Sequence, residues 1–427
     1  MNLGCPTARR WQLGRWRAAI PAHPGGVNTL YQRVFRCFTS SGGVTTPPGL
    51  QLYILSEARD PQIHKPPMKN SLSGSHSTLN WIRSFLLPLA LSCSLGSSGF
   101  AGTQIESVKI PGAVLKGNPL EDPVERRVAV FSPELPKGSP SPRMVYYLPG
   151  YGASSEEFFG FEGWGFQKVV QELADGGIPV RVVVVDCKNR WGGSQYLNSP
   201  AQGNYADYVL DEIIPLVEKR FGVAGDPSDR IIAGHSSGGF GALRLAMQRP
   251  AYFGAVVALS PDTDLEVTHR HMVMNDTVKH VSQRQLKAYM GPRGKMVEPS
   301  SGLIQMVLGL SAAYAPKGPE FPGEFHWPFD EQGRWDDAVW KKWLDQDPVV
   351  IARRNPKVFP PEQRIYLDGA EHDSFGAQKG ARALRDAIQG QTKVEFYESP
   401  GGHSDHVGPR FARGLEWVSG RTVRPIH

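Results

Sequence analysis

Residues 233–246 read AGHSSGGFGALRLA and contain the motif from which the fold class can be predicted. The run Arg230-Ile231-Ile232-Ala233, apolar after its arginine, leads into it, and alanine and leucine at helical spacing follow Ser236. A strand that ends in G-x-S-x-G and turns at once into a helix is a nucleophile elbow, whose strained backbone lifts the serine hydroxyl above the sheet. Gly234 and Gly238 leave room for that turn. The pattern therefore predicts that Ser236 is a nucleophile.

Outward from this stretch, short apolar runs alternate with amphipathic segments of helical length. This alternation is typical of a mostly parallel sheet with covering helices. Together with the elbow it predicts an α/β-hydrolase fold of about eight strands with helices on both faces. The predicted strands lie near 106–110, 126–132, 143–148, 180–186, 229–234, 254–260, 363–368 and 393–398, and the helices near 164–176, 204–221, 238–248, 377–390 and 407–419.

One interval breaks the alternation. Residues 263–355 contain few strand-like runs but four of the ten tryptophans of the chain. We expect this interval to be an insertion after the sixth strand that packs over the carboxyl edge of the sheet. The hydrolase domain is then expected to span 102–427.

A catalytic acid is predicted at the end of a later strand. A serine hydroxyl is a weak nucleophile, so it needs a base to take its proton and a carboxylate to orient that base. Residues 364–376 read RIYLDGAEHDSFG and offer Asp368, Glu371 and Asp373. Asp373 is preferred because it lies in the loop beyond the strand, where its side chain can reach an imidazole. Asp368 and Glu371 remain the alternatives.

The next strand end supplies the base. Residues 394–408 read VEFYESPGGHSDHVG and offer His403 and His406. His403 is preferred because the two preceding glycines give an uncrowded turn that can reach back over the elbow. His406 is interpreted as a residue at the start of a helix. The predicted order of serine, acid and histidine is that of α/β-hydrolases.

An oxyanion hole completes the predicted site. In this architecture its donors are the amide after the nucleophile and an amide from the loop after the third strand. The first is the amide of Ser237. The third strand leads into YYLPGYGASS at 146–155, where glycines follow the strand, and we assign the second amide to Tyr151.

These motifs together resemble a family of serine esterases that includes esterase D (S-formylglutathione hydrolase), feruloyl esterase domains and the mycolyltransferases. The resemblance covers about residues 125–420. The motifs are YYLPGYG, YLNSPAQGNYADYVLDEIIPLVEKRF, GHSSGGFGALRLAMQRPAYFGAVVALSP, the G-x-x-x-D-x-F of Gly369 to Phe375, and PGGH. The resemblance implies a serine hydrolase with the triad Ser236, Asp373 and His403. It also implies an acyl or alcohol pocket near Trp191, Ser194, Tyr196 and Asn198.

The charge distribution argues against a nucleic-acid partner. The formal net charge is +6, and residues 1–67 hold eight basic residues against two acidic ones, which accounts for the whole excess. The remainder is neutral and has no stripe of basic and aromatic residues of the kind that binds DNA or RNA.

No metal or cofactor is expected. His269 and His271 form an H-x-H with His280 nearby, but no carboxylate or cysteine stands at a spacing that would complete a metal site. These histidines are expected in solvent or at a helix edge. The glycines after Ser236 belong to the elbow, and no phosphate-binding loop or dinucleotide motif is present.

The segment from Met68 reads as a secretory signal peptide. Lys69 and Arg83 precede an apolar run at 84–95, and small residues follow it, with cleavage expected near residue 101. The apolar run is too short for a membrane span. A lipoprotein cleavage that leaves Cys93 acylated is the alternative. Residues 1–67 then indicate a start codon set too early, or a disordered or targeting extension.

The sequence thus predicts a secreted or periplasmic serine carboxylesterase that works through an acyl-serine intermediate. Its expected substrate is a small-molecule or carbohydrate-linked ester, without nucleic acid and without a stable membrane span. One alternative is an acyltransferase with the same triad. The other is a non-catalytic protein that binds carbohydrate or the cell envelope.

Overall fold

The computed structural model describes residues 102–158, 165–291, 297–421 and 423. The predicted signal peptide at 68–101 and the segment 1–67 lie outside the described residues, and both remain predictions.

One eight-stranded sheet forms the centre of the described chain, and a two-stranded ladder lies beside it. The order in the large sheet is β1-β2-β4-β3-β7-β8-β9-β10. Each of its strands overlaps a predicted one, so the predicted α/β-hydrolase fold is confirmed. The strands are β1 Gln104–Ile110, β2 Arg126–Ser132, β3 Arg143–Leu148, β4 Val180–Val184, β5 Asn198–Ser199, β6 Gly203–Asn204, β7 Arg230–His235, β8 Ala255–Leu259, β9 Arg364–Ala370 and β10 Lys393–Ser399, with β5 and β6 forming the ladder.

The sheet is parallel from β4 through β10 and antiparallel at its other edge, where β1 pairs β2 and β2 pairs β4. The central strands β3, β7 and β8 are buried along nearly their whole length. Strands with both faces covered read as continuous apolar runs, which explains why their sequences lack an alternating pattern. The carboxyl ends of the parallel strands share one edge of the sheet.

Helices cover both faces of the sheet. Alternate strand residues enter separate cores: Val130 packs with α3, α4 and α12, whereas Phe131 packs with α1 and α13. The α-helices are α1 Phe166–Asp175, α2 Tyr205–Asp207, α3 Ile214–Phe221, α4 Ser237–Gln248, α5 Leu265–Thr268, α6 Arg270–Val273, α7 Asp276–Lys279, α8 Gln283–Tyr289, α9 Gly302–Tyr314, α10 Asp337–Leu344, α11 Pro348–Arg354, α12 Ala377–Ile388 and α13 Val407–Val418; short 3₁₀ turns lie at Ala113–Leu115, Ser155–Phe158 and Pro227–Asp229.

The helix predicted at 204–221 is not a uniform α-helix. It begins as α2, continues as a π-helix at Tyr208–Ile213 and ends as α3. Pro215 lies in the first turn of α3 and has no N–H to donate, so the α-helical pattern cannot run unbroken through this region. The apolar face that predicted the helix is nevertheless buried in the sheet's core.

The inserted segment, residues 263–355, lies between β8 and β9 and is helical. Its described residues add no strand to the large sheet. It has a core of its own in which Tyr314, Trp340 and Trp343 pack ring against ring. Phe240 of α4 packs against Tyr314, so this second core is continuous with the helix that follows the elbow.

Over the described ranges, no helix combines the length and the apolar character that a membrane crossing requires.

Candidate active site

The elbow predicted around Ser236 is present between β7 and α4. Ser236 has φ 58° and ψ −125°, a conformation that non-glycine residues rarely adopt. A side chain at Gly234 would lie 2.2 Å from the carbonyl oxygen of Gly238, and one at Gly238 would lie 1.8 Å from the carbonyl oxygen of Leu148. The elbow therefore needs glycine at both positions so that β3, β7 and α4 can approach one another.

Replacing Gly238 by alanine is expected to lower the free energy of unfolding by about 3 kcal/mol, because the new methyl group collides with backbone that cannot move aside. Urea denaturation of the purified protein measures the change. Gly176→Ala is the matched control, since its φ is −75° and its nearest neighbour would lie 3.2 Å away. A loss at Gly238 no larger than at Gly176 would contradict the collision.

The three residues predicted as a triad lie in one hydrogen-bonded chain. His403 Nε2 is 3.0 Å from Ser236 Oγ, and His403 Nδ1 is 2.7 Å from Asp373 Oδ2. His403 is brought over the elbow by the loop between β10 and α13, in which Gly401 has φ 93°. Such a chain is the arrangement that removes a proton from a serine hydroxyl and stabilises the resulting imidazolium.

Of the three candidate acids, Asp373 is the one that contacts the histidine. Burial acts to raise the pKa of Asp373, but the hydrogen bond and charge of His403 outweigh it, and the amide of Phe375 adds a further hydrogen bond, so the pKa is lowered. Glu371 is exposed and lies 3.6 Å from the ring of His372. Asp368 is fully buried and binds Arg410 instead.

Two side chains that sequence reasoning missed hold the backbone of His403. Its carbonyl oxygen is 2.9 Å from His235 Nε2 and accepts a hydrogen bond from Arg410 Nη1 at 3.1 Å. Burial and the neighbouring charge of His403 lower the pKa of His235 well below its ordinary value, so a neutral ring donates this bond. The loop that carries His403 is thus fixed by His235, next to the elbow, on one side and by Arg410 of α13 on the other.

Arg410 is itself held by Asp368, whose carboxylate accepts two hydrogen bonds from the guanidinium and a third from the amide of Ser260. Arg410 Nε and Nη2 donate to the two carboxylate oxygens at 2.8 and 2.7 Å, and both side chains are fully buried. Asp368, which the sequence left as an alternative for the catalytic acid, therefore pairs with Arg410 and does not contact His403. Parallel two-point contacts of this kind fix geometry as well as charge.

Arg410→Met is expected to lower the free energy of unfolding by about 3–5 kcal/mol, because it leaves the Asp368 carboxylate buried without a cationic partner, with one hydrogen bond from the amide of Ser260 remaining. Arg382→Met is the matched control: its pair with Glu398 is at 2.5 Å but exposed, and such pairs contribute about 1 kcal/mol or less. Urea denaturation of both variants makes the comparison. Equal losses would contradict the structural role assigned to Arg410.

The predicted oxyanion loop lies against Ser236. A side chain at Gly150 would lie 3.4 Å from Ser236 Cβ, which brings Tyr151 next to the elbow. The amide of Ser237 is in the first turn of α4, where N–H groups have no partner within the helix. A cavity of about 10 Å³ lies between the loop and the helix, lined in part by Gly150, Tyr151 and Ser237.

The side chains of the oxyanion loop are tied to the segment 189–198. Tyr151 donates its hydroxyl to the carbonyl of Trp191, and Tyr196 donates to the carbonyl of Pro149 at 2.6 Å. The ring of Tyr151 also fills the space that a side chain at Gly192 would occupy. These contacts explain how a glycine-rich loop keeps a fixed position beside Ser236.

Of the four residues assigned to a substrate pocket, two line the cavity beside Ser237 and two lie elsewhere. Ser194 and Tyr196 line the cavity beside Ser237. Trp191 is buried in the core of the inserted segment. Asn198 is exposed, and its Oδ1 accepts a hydrogen bond from the amide of Asp207.

Two further polar residues, Asp262 and His269, lie near Ser236, around the start of the inserted segment. Asp262 follows β8 and is 8% exposed, and its carboxylate contacts both Ser236 and Ser237. His269 was expected in solvent or at a helix edge; it lies at a helix edge, between α5 and α6, but it is 4% exposed and lies 3.8 Å from Asp262. Applying the strand-end argument to β8, as it was applied to β9, would have found Asp262. The burial of His269 has no local sequence signal.

Within the described ranges, no cluster of three or more histidine, cysteine, aspartate or glutamate side chains is arranged to hold a metal ion. His269 and His271 do not share a site, since His269 faces the nucleophile loop and His271 is exposed.

Comparison with known proteins supplies relatives for this arrangement. The family model Esterase, described as "Putative esterase", matches residues 123–413. The S-formylglutathione hydrolase of Mus musculus is 25% identical over 193 residues, which cover 42% of this chain and 63% of the mouse protein. The match thus spans a little under two thirds of that relative.

Solved structures of two such enzymes also align with the chain. An S-formylglutathione hydrolase from Agrobacterium tumefaciens aligns with a TM-score of 0.47 and 19% identity over 75% of this chain and 96% of the other. A ferulic acid esterase aligns with a TM-score of 0.46 and 18% identity over 74% of this chain and 98% of the other.

Proposed function

The chain belongs to the esterase family, and from this premise we propose that it hydrolyses carboxylic esters through an acyl-serine intermediate on Ser236. The observation that carries the proposal is the hydrogen-bonded chain from Ser236 through His403 to Asp373. These hydrogen bonds join a hydroxyl, an imidazole and a carboxylate at the distances that proton transfer needs.

The proposed reaction has two halves. His403 takes the hydroxyl proton as Ser236 Oγ forms a bond to the ester carbonyl carbon, and the amides of Ser237 and Tyr151 bind the resulting oxyanion. His403 then gives the proton to the alcohol as the carbon–oxygen bond breaks. Water, deprotonated by His403, attacks the acyl-serine, and Ser236 recovers its proton as the acid leaves. Asp373 keeps Nδ1 protonated and stabilises the imidazolium.

Acyl transfer to an alcohol is the alternative outcome, because the same residues serve both reactions. The proposal is tested with p-nitrophenyl acetate, butyrate and octanoate, in the presence and absence of a competing alcohol, with the products separated by chromatography. We expect the free acid to be the main product in both cases. A new ester as the main product would make the protein an acyltransferase, and retention on polysaccharide without turnover would make it a binding protein.

For the substrate we propose a small-molecule or carbohydrate-linked ester. The support is the placement of the nucleophile at the carboxyl edge of the sheet, where ligands of open α/β sheets bind. The tryptophan-rich inserted segment is continuous with the nucleophile's helix through Phe240 and Tyr314. The order of rates over the three acyl lengths would indicate how large an acyl group the site accepts.

Secretion is proposed on sequence grounds alone. The charged start, apolar run and small residues of 68–101 support export and cleavage near residue 101. Amino-terminal sequencing of protein exported by a bacterial host tests this. A terminus near residue 102 is expected, whereas an acylated Cys93 detected by mass spectrometry would indicate a lipoprotein.

A further inference from the structure

Asp262 places a second carboxylate beside Ser236, in addition to that of Asp373. Its Oδ1 lies 3.4 Å from Ser236 Oγ, and its Oδ2 accepts the hydroxyl of Ser237 at 2.6 Å. Its own amide donates to the carbonyl of Ser236 at 3.3 Å. The residue is therefore fixed to the elbow from several directions, and its side chain is not free to swing into solvent.

The Oδ1 atom lacks a donor whenever the triad is engaged. The Ser236 hydroxyl has one proton, and the shorter contact to His403, at 3.0 Å, takes it. In the described part of the chain, the hydroxyls of Ser236 and Ser237 are the hydrogen-bond donors to this carboxylate. A buried carboxylate oxygen without a donor is costly, and such an atom beside a nucleophile is suited to a ligand.

His269 does not neutralise this carboxylate. Its Nε2 is 3.8 Å from Asp262 Oδ2, beyond hydrogen-bond distance, and burial lowers the pKa of His269 so that its ring is neutral at pH 7. The position beside the nucleophile is thus negative and accepts hydrogen bonds.

In the proposed mechanism, the acyl group is the part of the substrate that we expect to face Asp262. In the tetrahedral intermediate, the oxyanion is directed to the amides of Ser237 and Tyr151, and the leaving oxygen to His403. The acyl chain takes the remaining position on the carbon bonded to Ser236.

Resting on the proposed function, we propose that Asp262 is a specificity-determining residue whose Oδ1 accepts a hydrogen bond from a hydroxyl or ammonium group next to the ester carbonyl of the substrate. The same carboxylate disfavours acyl groups that carry a negative charge there.

The test compares ethyl propionate, ethyl lactate, ethyl alaninate and monoethyl malonate at pH 7, with acid release followed by titration. The quantity measured is kcat/KM of the wild type divided by that of Asp262→Asn, in which the intrinsic reactivity of each ester cancels. We expect this ratio to be about tenfold or more larger for lactate and alaninate than for propionate, and smaller for malonate. If this ratio is larger for alaninate alone, the group that binds Asp262 is a cation. If it is larger for lactate alone, the group is a hydroxyl.

Equal ratios for propionate, lactate and alaninate would overturn the inference and leave Asp262 a support of the elbow. Asp264→Asn is the matched control: it removes a carboxylate from the same loop, and asparagine tolerates the φ of 53°. All four ratios are expected to stay alike for that variant.

Two outcomes are kept distinct by further measurements. Asp262→Asn could be inactive on every ester. In that case, the wild-type ratio of kcat/KM for ethyl lactate to that for ethyl propionate is compared with the ratio of the rates at which hydroxide ion hydrolyses the same two esters. An enzymatic ratio no larger than the hydroxide ratio overturns the inference. If wild type and Ser236→Ala release acid equally slowly from all four esters, the proposed function has failed instead.

Discussion

Ser236→Ala is expected to lower kcat for p-nitrophenyl butyrate by about a thousandfold or more. The variant lacks the oxygen that would form the proposed acyl-serine, so only the proposed oxyanion donors and substrate binding would remain to assist water. The fold is expected to persist, because alanine keeps the same backbone and removes no buried ion pair. Steady-state release of p-nitrophenol, at equal concentrations of folded wild type and variant, measures the effect.

Ser237→Ala separates the two adjacent serines. The Ser237 hydroxyl is hydrogen-bonded to Asp262 and its amide, not its side chain, is the proposed oxyanion donor. We expect a loss of less than about tenfold for this variant, since the amide survives the substitution. A loss as large as that of Ser236→Ala, or a wild type no faster than Ser236→Ala on every ester, would contradict the assignment of the nucleophile.

Asp373→Asn is expected to lower kcat by about 10³- to 10⁴-fold. Asparagine in this place can donate to His403 Nδ1, which stabilises the tautomer that cannot accept the serine proton, and it removes the charge that stabilises the imidazolium. The lost contact is the 2.7 Å hydrogen bond to a largely buried carboxylate. Steady-state kinetics on p-nitrophenyl butyrate again supply the measurement.

The other two candidate acids provide the controls. Glu371→Gln changes an exposed side chain of the same loop and is expected to leave kcat within about twofold. Asp368→Asn weakens the ion pair with Arg410, so we expect it to affect the free energy of unfolding more than kcat. If Glu371→Gln were as inactive as Asp373→Asn, the acid would be wrongly assigned.

The pH dependence of stability gives an independent check on Asp373. Its pKa is lowered in the folded protein, so its carboxylate contributes stability above the unfolded value of about 3.9, and this contribution is lost as the pH falls through the folded value. Asp373→Asn lacks that contribution. Urea denaturation between pH 3 and pH 6 is therefore expected to show a flatter pH profile for the variant than for the wild type.

Local patterns were sufficient to predict the sheet and the triad geometry. The strand ending in G-x-S-x-G fixes the position of Ser236, and parallel strands bring their carboxyl ends to one edge, so Asp373 and His403 were expected beside it. Their hydrogen-bonded arrangement in the structure agrees with that expectation, while their catalytic roles stay predictions until the variants are measured.

The residues that sequence reasoning missed depend on contacts between distant elements. Arg410 lies on α13 among apolar residues, and no local pattern shows that its partner is Asp368 on β9. His269 is buried near Asp262, a residue that precedes the inserted segment and contacts the elbow. Asn198 belongs to a short ladder and bonds to the amide of Asp207, which the resemblance that suggested a pocket role could not show.

The separation of Ser236 and His403 by 167 residues has a consequence for how the protein becomes active. Helices form from local contacts within microseconds, whereas a contact of such high sequence separation must await the docking of the intervening parallel strands. A nascent chain that has not yet released residue 410 from the ribosome carries the proposed nucleophile without an anchored His403. During refolding, recovery of activity is therefore expected to follow the last step, the docking of His403, whereas the far-ultraviolet circular dichroism signal follows the earlier formation of helices.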